Sequence, residues 1–468
     1  MTLSRNSFLN LKLNFNKNIF RAYDVRGLSY KDLSEELVIM LGKALGTKIL
    51  ELGDHSIIIG RDGRNSSPDM YEWLSEGILS TGCNVINVGI LPTPILYFSV
   101  HKFDLNNGVM ITGSHNPAEY NGFKIVINNK TLYGESIQEI KRKVETKIFI
   151  EGKGKEEECR EAINLYSKEL IKDISLPKQL KIGIDCGNGA TSVIAERCYK
   201  DLGCEVEALY CDLDGNFPNH HPDPSNPENM QDLKKKVLDS SLDLGLAFDG
   251  DGDRLGVVNS EGEIIYPDMQ MILFSQSILK KNKYSNIVFD VKCSQLLPKI
   301  IKDNGGIPIM SRTGHSFIKE KIKEVSAPLG GEMSGHIFFN DRWPGFDDAI
   351  YAGARMMEII SKSPLGKDIF KQLPTLSSTP EINIKVGDNE KFSIVEQFKS
   401  LANFPESKIT DIDGIRVEFN EGWGLLRASN TSPVLVLRFE AENDERLREI
   451  KNKFKTLLNE IDPNLTDF

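Results

Sequence analysis

Three times along the chain an apolar run ends in a polar or glycine-rich turn. An amphipathic stretch follows, a glycine stops it, and a second apolar run begins. The copies are HSIIIGRDGRN…WLSEGILSTGCNVINVG (55–89), LKIGIDCGNGATSVIAERCYKDLGCEVEAL (180–209) and NIVFDVKCSQLLPKIIKDNGGIPIM (286–310). Short apolar runs bounded by turn residues read as strands, and a 3.6-residue period between them reads as a helix. Each copy therefore predicts a strand–helix–strand unit. Gly82, Gly203 and Gly305 stand where the glycine after a helix is expected. The expected fold class is α/β, with three topologically related domains built on mixed sheets.

The pattern changes near the end. ITDIDGIRVEFNEGWGLLRASNTSPVLVLRFEAEN (409–443) alternates strand-like runs with turns, and the charged helical stretch DERLREIKNKFKTLLNEI follows. This predicts a C-terminal α+β domain with an antiparallel sheet. The expected domains are 1–160, 161–263, 264–375 and 376–468. A proline-rich segment, DGNFPNHHPDPSNPEN (214–229), reads as a long loop in the second. Its His220 and His221 read as surface residues, because no third ligand has zinc spacing.

Length agrees, since 468 residues suit three or four domains of roughly 100–150 residues each. The net charge of −10 argues against nucleic acid as a partner and means that an anionic substrate needs a local Arg/Lys cluster. The seven cysteines are odd in number with no C-x-x-C, which speaks against a disulfide framework and fits a reducing, cytoplasmic setting. No apolar run reaches the ~18 residues of a membrane span. The first 18 residues carry Arg5, Lys12 and Lys17 and no acid. They lack a signal-peptide core and read as a short extension.

Candidate chemistry sits on the loops. TGSHNP (112–117) places Ser114 on a constrained turn. Pairing it with His115 as a base is disfavoured, because adjacent side chains on an extended loop point apart and Ser–His pairs come from distant segments; Ser, Asn and Pro are also ordinary turn formers. LGLAFDGDGDRLGVV (244–258) sets Asp249, Asp251 and Asp253 between glycines after an apolar strand. Three carboxylates on so short a loop repel unless a cation neutralises them, and an all-oxygen set suits Mg²⁺. An EF-hand starting at Asp249 needs Gly and Glu where Arg254 and Ser260 stand. A dehalogenase-type phosphatase would carry Thr or Val where Asp253 stands. A phosphate on Ser114 would supply a further ligand and become electrophilic on the metal.

APLGGEMSGHIFF (327–339) alternates Glu332, Ser334 and His336, which project to one side if the segment is extended and suit sugar hydroxyls; a polar hairpin turn is the plainer reading. RASNTSP (427–433) gathers Arg427, Ser429, Asn430 and Thr431, a set for a phosphate dianion. Arg26 and His315 are further polar outliers. Lys124 and Lys292 interrupt apolar strand-like runs, where a lysine alone reads as snorkelling to the surface.

In this order the motifs FRAYDVRG, TGSHNPAEYNGFKIV, DGNFPNHHPDP, AFDGDGDR, FDVKCS, TGHSFIK, GEMSGHIFF and GWGLLRASNTSPVLVLRFEA resemble the α-D-phosphohexomutase superfamily over almost the whole chain. Within it they are most similar to the bacterial phosphomannomutase/phosphoglucomutase group. Met333 fits that group; phosphoglucosamine mutases usually carry glutamine there. The resemblance implies four domains around a central cleft and a phosphoserine at Ser114. Mg²⁺ would lie on Asp249, Asp251, Asp253 and the Ser114 phosphate. Glu332 and Ser334 would hold sugar hydroxyls, and Arg427, Ser429, Asn430 and Thr431 the non-reacting phosphate. Tyr23, Arg254, Lys292, His315 and His336 complete the implied substrate set. His336 is favoured as general base or acid, with Lys124 and Arg26 beside the transferred phosphate. The implied reaction passes phosphate from Ser114 to a hexose 1- or 6-phosphate. The 1,6-bisphosphate then turns end for end, and its other phosphate returns to Ser114. Glucose 1,6-bisphosphate is the implied activator, hexose phosphates are the implied partners, and a monomer is expected. The alternatives are a phosphoglucosamine mutase and a non-catalytic sugar-phosphate-binding protein; loss of Ser114 or of an aspartate would mark the latter, and none is lost.

Overall fold

The computed structural model describes residues 15–387, 389–430, 432–466 and 468. Most of the expected N-terminal extension, and Thr431, lie outside the described residues.

Three sheets repeat one order. In the first, Ser56–Arg61 runs between parallel neighbours Asn84–Ile90 and Gly108–Ile111, and Tyr120–Ile127 pairs antiparallel with the latter. In the second, Lys181–Asp185 lies between parallel Glu205–Leu209 and Leu244–Phe248, followed by antiparallel Leu255–Asn259. In the third, Asn286–Asp290 lies between parallel Ile307–Ser311 and Leu329–Gly331, followed by antiparallel Ile337–Phe339. Ser67–Leu79, Ala195–Asp201 and Leu296–Asp303 are the connecting helices, and Gly82, Gly203 and Gly305 after them adopt φ of 96°, 93° and 80°. A parallel strand needs a crossover, whereas an antiparallel neighbour needs just a tight connection. Each sheet therefore has one short loop between its third parallel strand and the antiparallel strand. Those loops are residues 112–119, 249–254 and 332–336.

Ile57, Ile58 and Ile59 are fully buried, as expected of a strand with both sheet faces covered. One apolar core runs through all three domains, joining Leu96 and Met110, Ile184 and Leu246, and Phe289 and Phe339. The helix Ala349–Lys362 is buried on nearly every side within it. The three domains thus share an interior and form one base for the cleft.

The fourth sheet is antiparallel throughout, in the order Ser377–Ser378, Val434–Ala441, Gly422–Ala428, Ile415–Phe419, Lys408–Thr410. It keeps its own core of Phe398, Val417, Leu437, Phe439 and Phe454. Three elements precede the segment that the sequence pattern marked: the strands Ser377–Ser378 and Ile382–Lys385, both against Val434–Ala441, and the helix Lys391–Leu401. The strands are short and half-exposed, so their pattern is weak. The domain meets the third through a small apolar patch of Trp423 and Val291 and through buried polar bonds. Arg416 donates to the carbonyls of Val291 and Cys293 at 2.6 and 2.7 Å, and Arg438 pairs with Asp268 at 3.1 Å.

Candidate active site

The loop after Gly108–Ile111 holds Ser114 at φ +50°, a left-handed conformation that disfavours a residue with Cβ and persists only where neighbours enforce it. Arg64 is the enforcer. Its side chain is fully buried, paired with Asp62 at 3.2 Å. It donates to the carbonyls of Ser114 (2.7 Å), Asn116 (2.7 Å), Pro117 (2.6 Å) and Tyr120 (3.0 Å). Arg26 adds bonds to the Gly113 carbonyl and Asn116 Oδ1 at 3.3 and 3.0 Å. Arg64 stands in the turn RDGRN, where one arginine among turn residues gives no sign of this task. Arg64→Met takes the guanidinium from four carbonyls and leaves the buried Asp62 carboxylate without its ion-pair partner. We expect it to cost about 3–5 kcal/mol of stability, read as a fall in denaturant midpoint at unchanged m-value.

The left-handed turn also overturns one sequence argument. Ser114 Oγ lies 3.2 Å from His115 Nδ1; adjacent side chains meet because the backbone is not extended. Burial within the cleft, reinforced by Arg254 and Arg26, holds the His115 pKa well below its usual value. On its other side Ser114 Oγ donates to Asp249 Oδ2 at 3.2 Å.

The loop 249–254 comes against Ser114 through backbone: a Cβ on Gly250 would stand 2.4 Å from the Ser114 carbonyl oxygen. Its three aspartates are fully buried, and each commits one oxygen to the protein. Asp249 Oδ1 accepts the N–H groups of Gly252, Asp253 and Arg254 at 3.0–3.1 Å. Asp251 Oδ2 accepts from Thr93 Oγ1 at 2.5 Å and Lys124 Nζ at 2.6 Å. Asp253 Oδ2 accepts from Lys124 Nζ. The second oxygens are Asp249 Oδ2, facing Ser114, and Asp251 Oδ1 and Asp253 Oδ1, both buried without a hydrogen bond. The three side chains offer ligand atoms within 4.8 Å of one another. A buried carboxylate oxygen with no donor is costly, and two of them, Asp251 Oδ1 and Asp253 Oδ1, beside Asp249 Oδ2 and the Ser114 hydroxyl, are a fit for a hard cation such as Mg²⁺. Burial and the other two aspartates hold the Asp249 carboxyl well above its usual pKa.

Lys124 is no snorkelling residue; it is buried at the centre of this cluster. Burial alone would lower its pKa, but Asp251 and Asp253 outweigh burial and hold it well above the usual value. Lys292 is buried too, with Nζ 2.6 Å from Glu381 Oε1.

The segment 332–336 is a hairpin turn between Leu329–Gly331 and Ile337–Phe339, not the extended run that alternation suggested. The turn still gathers its groups. His336 Nδ1 lies 2.8 Å from Ser334 Oγ and 3.2 Å from Glu332 Oε2, and Nε2 lies 3.3 Å from Asp253 Oδ1. Burial pulls the His336 pKa down; Asp253 and Glu332 overcome it and raise the value to about 9. The ring stacks on His315, whose Nδ1 meets Asp347 at 3.1 Å.

Arg427 is buried, 4% exposed, with Nε bound to Asp413 at 2.9 Å. Asn430 reaches across to the Tyr23 hydroxyl at 2.7 Å. Tyr23, Arg26, Ser114, Lys124, Arg254, Lys292, His315, Glu332, Ser334, His336, Arg427, Ser429 and Asn430 all line one cleft of about 960 Å³. The aspartates lie beneath its floor. His220 is half-buried with Nε2 2.9 Å from Asp185, a loop anchor rather than a surface residue, and His221 is exposed. Sequence reasoning missed Arg64, Thr93, Asp347, Glu381 and Asp413; each stands among common turn or strand residues with no spacing to mark it.

The chain matches four family models in order. These are the phosphoglucomutase/phosphomannomutase alpha/beta/alpha domain I over residues 17–151, domain II over 164–262, domain III over 266–376, and the C-terminal domain over 381–457. It is 49% identical over 449 residues to a phosphomannomutase/phosphoglucomutase of Pseudomonas putida, covering 96% of this chain and 97% of that one. It is 46% identical over 455 residues to a phosphoglucomutase of Neisseria meningitidis, covering 97% and 99%. A solved phosphoglucomutase/phosphomannomutase family protein from Burkholderia thailandensis superposes with a TM-score of 0.92 at 40% identity, covering 96% of this chain and 99% of that one.

Proposed function

Because the chain belongs to the phosphoglucomutase/phosphomannomutase family, we infer that it interconverts hexose 1-phosphates and hexose 6-phosphates, taking both mannose and glucose. Ser114 carries the phosphoryl group in transit. The observation that bears most weight is the pairing of Ser114 Oγ with Asp249 beside Asp251 and Asp253, each of which keeps one buried oxygen without a hydrogen bond.

Asp249, Asp251, Asp253 and a phosphate on Ser114 would hold Mg²⁺, which when bound would supply Lewis-acid polarisation to the phosphoryl group. Lys124 and Arg26, beside Ser114, offset charge on the phosphoryl group as it moves. His336 is the general base or acid at the sugar hydroxyl; with its pKa raised to about 9 the ring holds its proton near neutral pH, and its basic form grows as pH rises toward that value. Glu332 and Ser334 bind sugar hydroxyls. Arg427, Ser429, Asn430 and Thr431 hold the phosphate that is not reacting, with Lys292, which exchanges Glu381 for it. Arg254, His315 and Tyr23 shape the walls. One reactive serine and one clamp must serve both ends of the sugar, so the hexose 1,6-bisphosphate turns end for end between the two transfers. The same bisphosphate phosphorylates an unphosphorylated Ser114 and so activates the enzyme. The fourth domain, with its own core and a small joint to the third, closes over the cleft and keeps water from the phosphoserine. We place the domain boundaries near residues 160, 263 and 375.

Intact mass and peptide mapping test this. Protein incubated with glucose 1,6-bisphosphate is expected to carry one phosphate on Ser114 and to lose it to hexose monophosphate. Active protein in which no phosphate ever maps to Ser114 would sink the scheme. Parallel assays with glucose, mannose and glucosamine 1-phosphates decide the sugar; a preference for glucosamine 1-phosphate would replace this substrate assignment.

A further inference from the structure

We propose that Asp413 is a positioning residue that locks the phosphate clamp of the fourth domain to the sugar loop of the third, making cleft closure and the aiming of Arg427 one event. The proposal rests on the reading of Arg427 as the clamp for the non-reacting phosphate. Asp413 stands in the turn between Lys408–Thr410 and Ile415–Phe419, within the strand-and-turn stretch 409–443 but outside the clusters of candidate chemistry. A single oxygen, Oδ2, accepts from Arg427 Nε at 2.9 Å and from the backbone N–H of Thr313 at 3.0 Å. The first bond occupies Nε and leaves the two terminal guanidinium nitrogens, the pair that forks onto a phosphate, on a residue that lines the cleft.

The second bond crosses into the third domain, to a dipeptide held on every side. The Thr313 carbonyl accepts from the Tyr23 hydroxyl at 3.0 Å, and Thr313 Oγ1 donates to Asp290 Oδ2 at 2.9 Å. Gly314 N–H donates to Glu332 Oε1 at 2.5 Å. Asn430 closes the ring by donating to the Tyr23 hydroxyl at 2.7 Å. A continuous path therefore runs from Arg427 through Asp413 and Thr313–Gly314 to Glu332, and a second from Asn430 through Tyr23 to the same dipeptide. Gly314 is required: it adopts φ +134°, and a Cβ there would stand 2.5 Å from the Tyr23 hydroxyl oxygen. A carboxylate serving the fourth domain alone would need Arg427 and nothing more. The bond to Thr313 exists when the two domains are together, so Asp413 holds Arg427 and the sugar loop in register in the closed cleft.

Steady-state kinetics in both directions, beside thermal melts, test this with Asp413→Ala, Asp413→Asn, Arg427→Ala and the double variant Asp413→Ala/Arg427→Ala. Asp413→Ala is expected to raise KM about tenfold for hexose 1-phosphate and hexose 6-phosphate alike, with a smaller fall in kcat. Asp413→Asn, which keeps an acceptor oxygen and loses the charge, should fall between it and the parent. The double variant should be no worse than Arg427→Ala by more than about threefold, because residues acting as one unit are non-additive. An unchanged KM in Asp413→Ala, a fully additive double variant, or a lower melting temperature with unchanged KM overturns the positioning role. Arg427→Ala with unchanged KM in both directions overturns the clamp reading and the proposal with it. A raised KM in Arg427→Ala beside an unaffected Asp413→Ala overturns the positioning role alone.

Discussion

Ser114→Ala is expected to reduce kcat by about 10⁴-fold or more in either direction, since a covalent route loses its nucleophile and other groups cannot stand in for it. The side chain is small and nearly buried, 2% exposed, and the loop is held mainly through backbone carbonyls, four of them by Arg64. The fold should therefore survive, and substrate affinity through the distant Arg427 loop should change little. Isothermal titration with hexose monophosphate, beside the turnover assay, separates the two effects. Residual turnover above about 1% of the parent would mean that phosphate moves without the serine. A loss of binding equal to the loss of rate would mean that Ser114 builds the cleft instead of reacting in it.

His336→Ala is expected to lower kcat by about 10²–10⁴-fold, the usual worth of a positioned proton carrier. The ring links the metal loop to the sugar loop, touching Asp253, Glu332 and Ser334, and no other described imidazole meets all three. The loss should be equal in both directions, because the group that takes the hydroxyl proton in one transfer returns it in the reverse. Rapid-quench measurement of phosphoserine decay on mixing with hexose monophosphate isolates this step. A fall of less than about tenfold in that single turnover would move the role to another residue. A fall confined to KM would make His336 a sugar ligand.

A short sequence pattern carries much of this protein. The repeated strand–helix–glycine–strand units were legible because strand pairs, crossover helices and the glycines after them are set by local periodicity and turn chemistry. Ser114, the three aspartates, Glu332, Ser334, His336 and the RASN stretch were legible because each clusters chemistry on a few consecutive residues, and the order of those clusters carried the family. Of the expectations that failed, those for Lys124, Lys292 and His220 missed partners brought by other elements, and the rest concerned backbone conformation inside those clusters. A left-handed Ser114 brings His115 against it, and a hairpin turn rather than an extended run gathers Glu332 with His336.

What the tertiary structure alone decided is where the clusters meet and which ordinary residues hold them. The three α/β domains repeat one strand order, so each functional loop is the same short connection, from the third parallel strand to its antiparallel neighbour. The fourth loop is the equivalent hairpin of the antiparallel sheet. Loops far apart in sequence thus converge on one cleft. The sequence determined the chemistry of each loop, because reactive groups are named by their residue types. It could not mark Arg64, Thr93, Asp347 or Asp413, because a buried arginine or aspartate is defined by the carbonyls, amides and charges around it. Those partners come from other elements and other domains, and the folded chain is what brings them within hydrogen-bond distance.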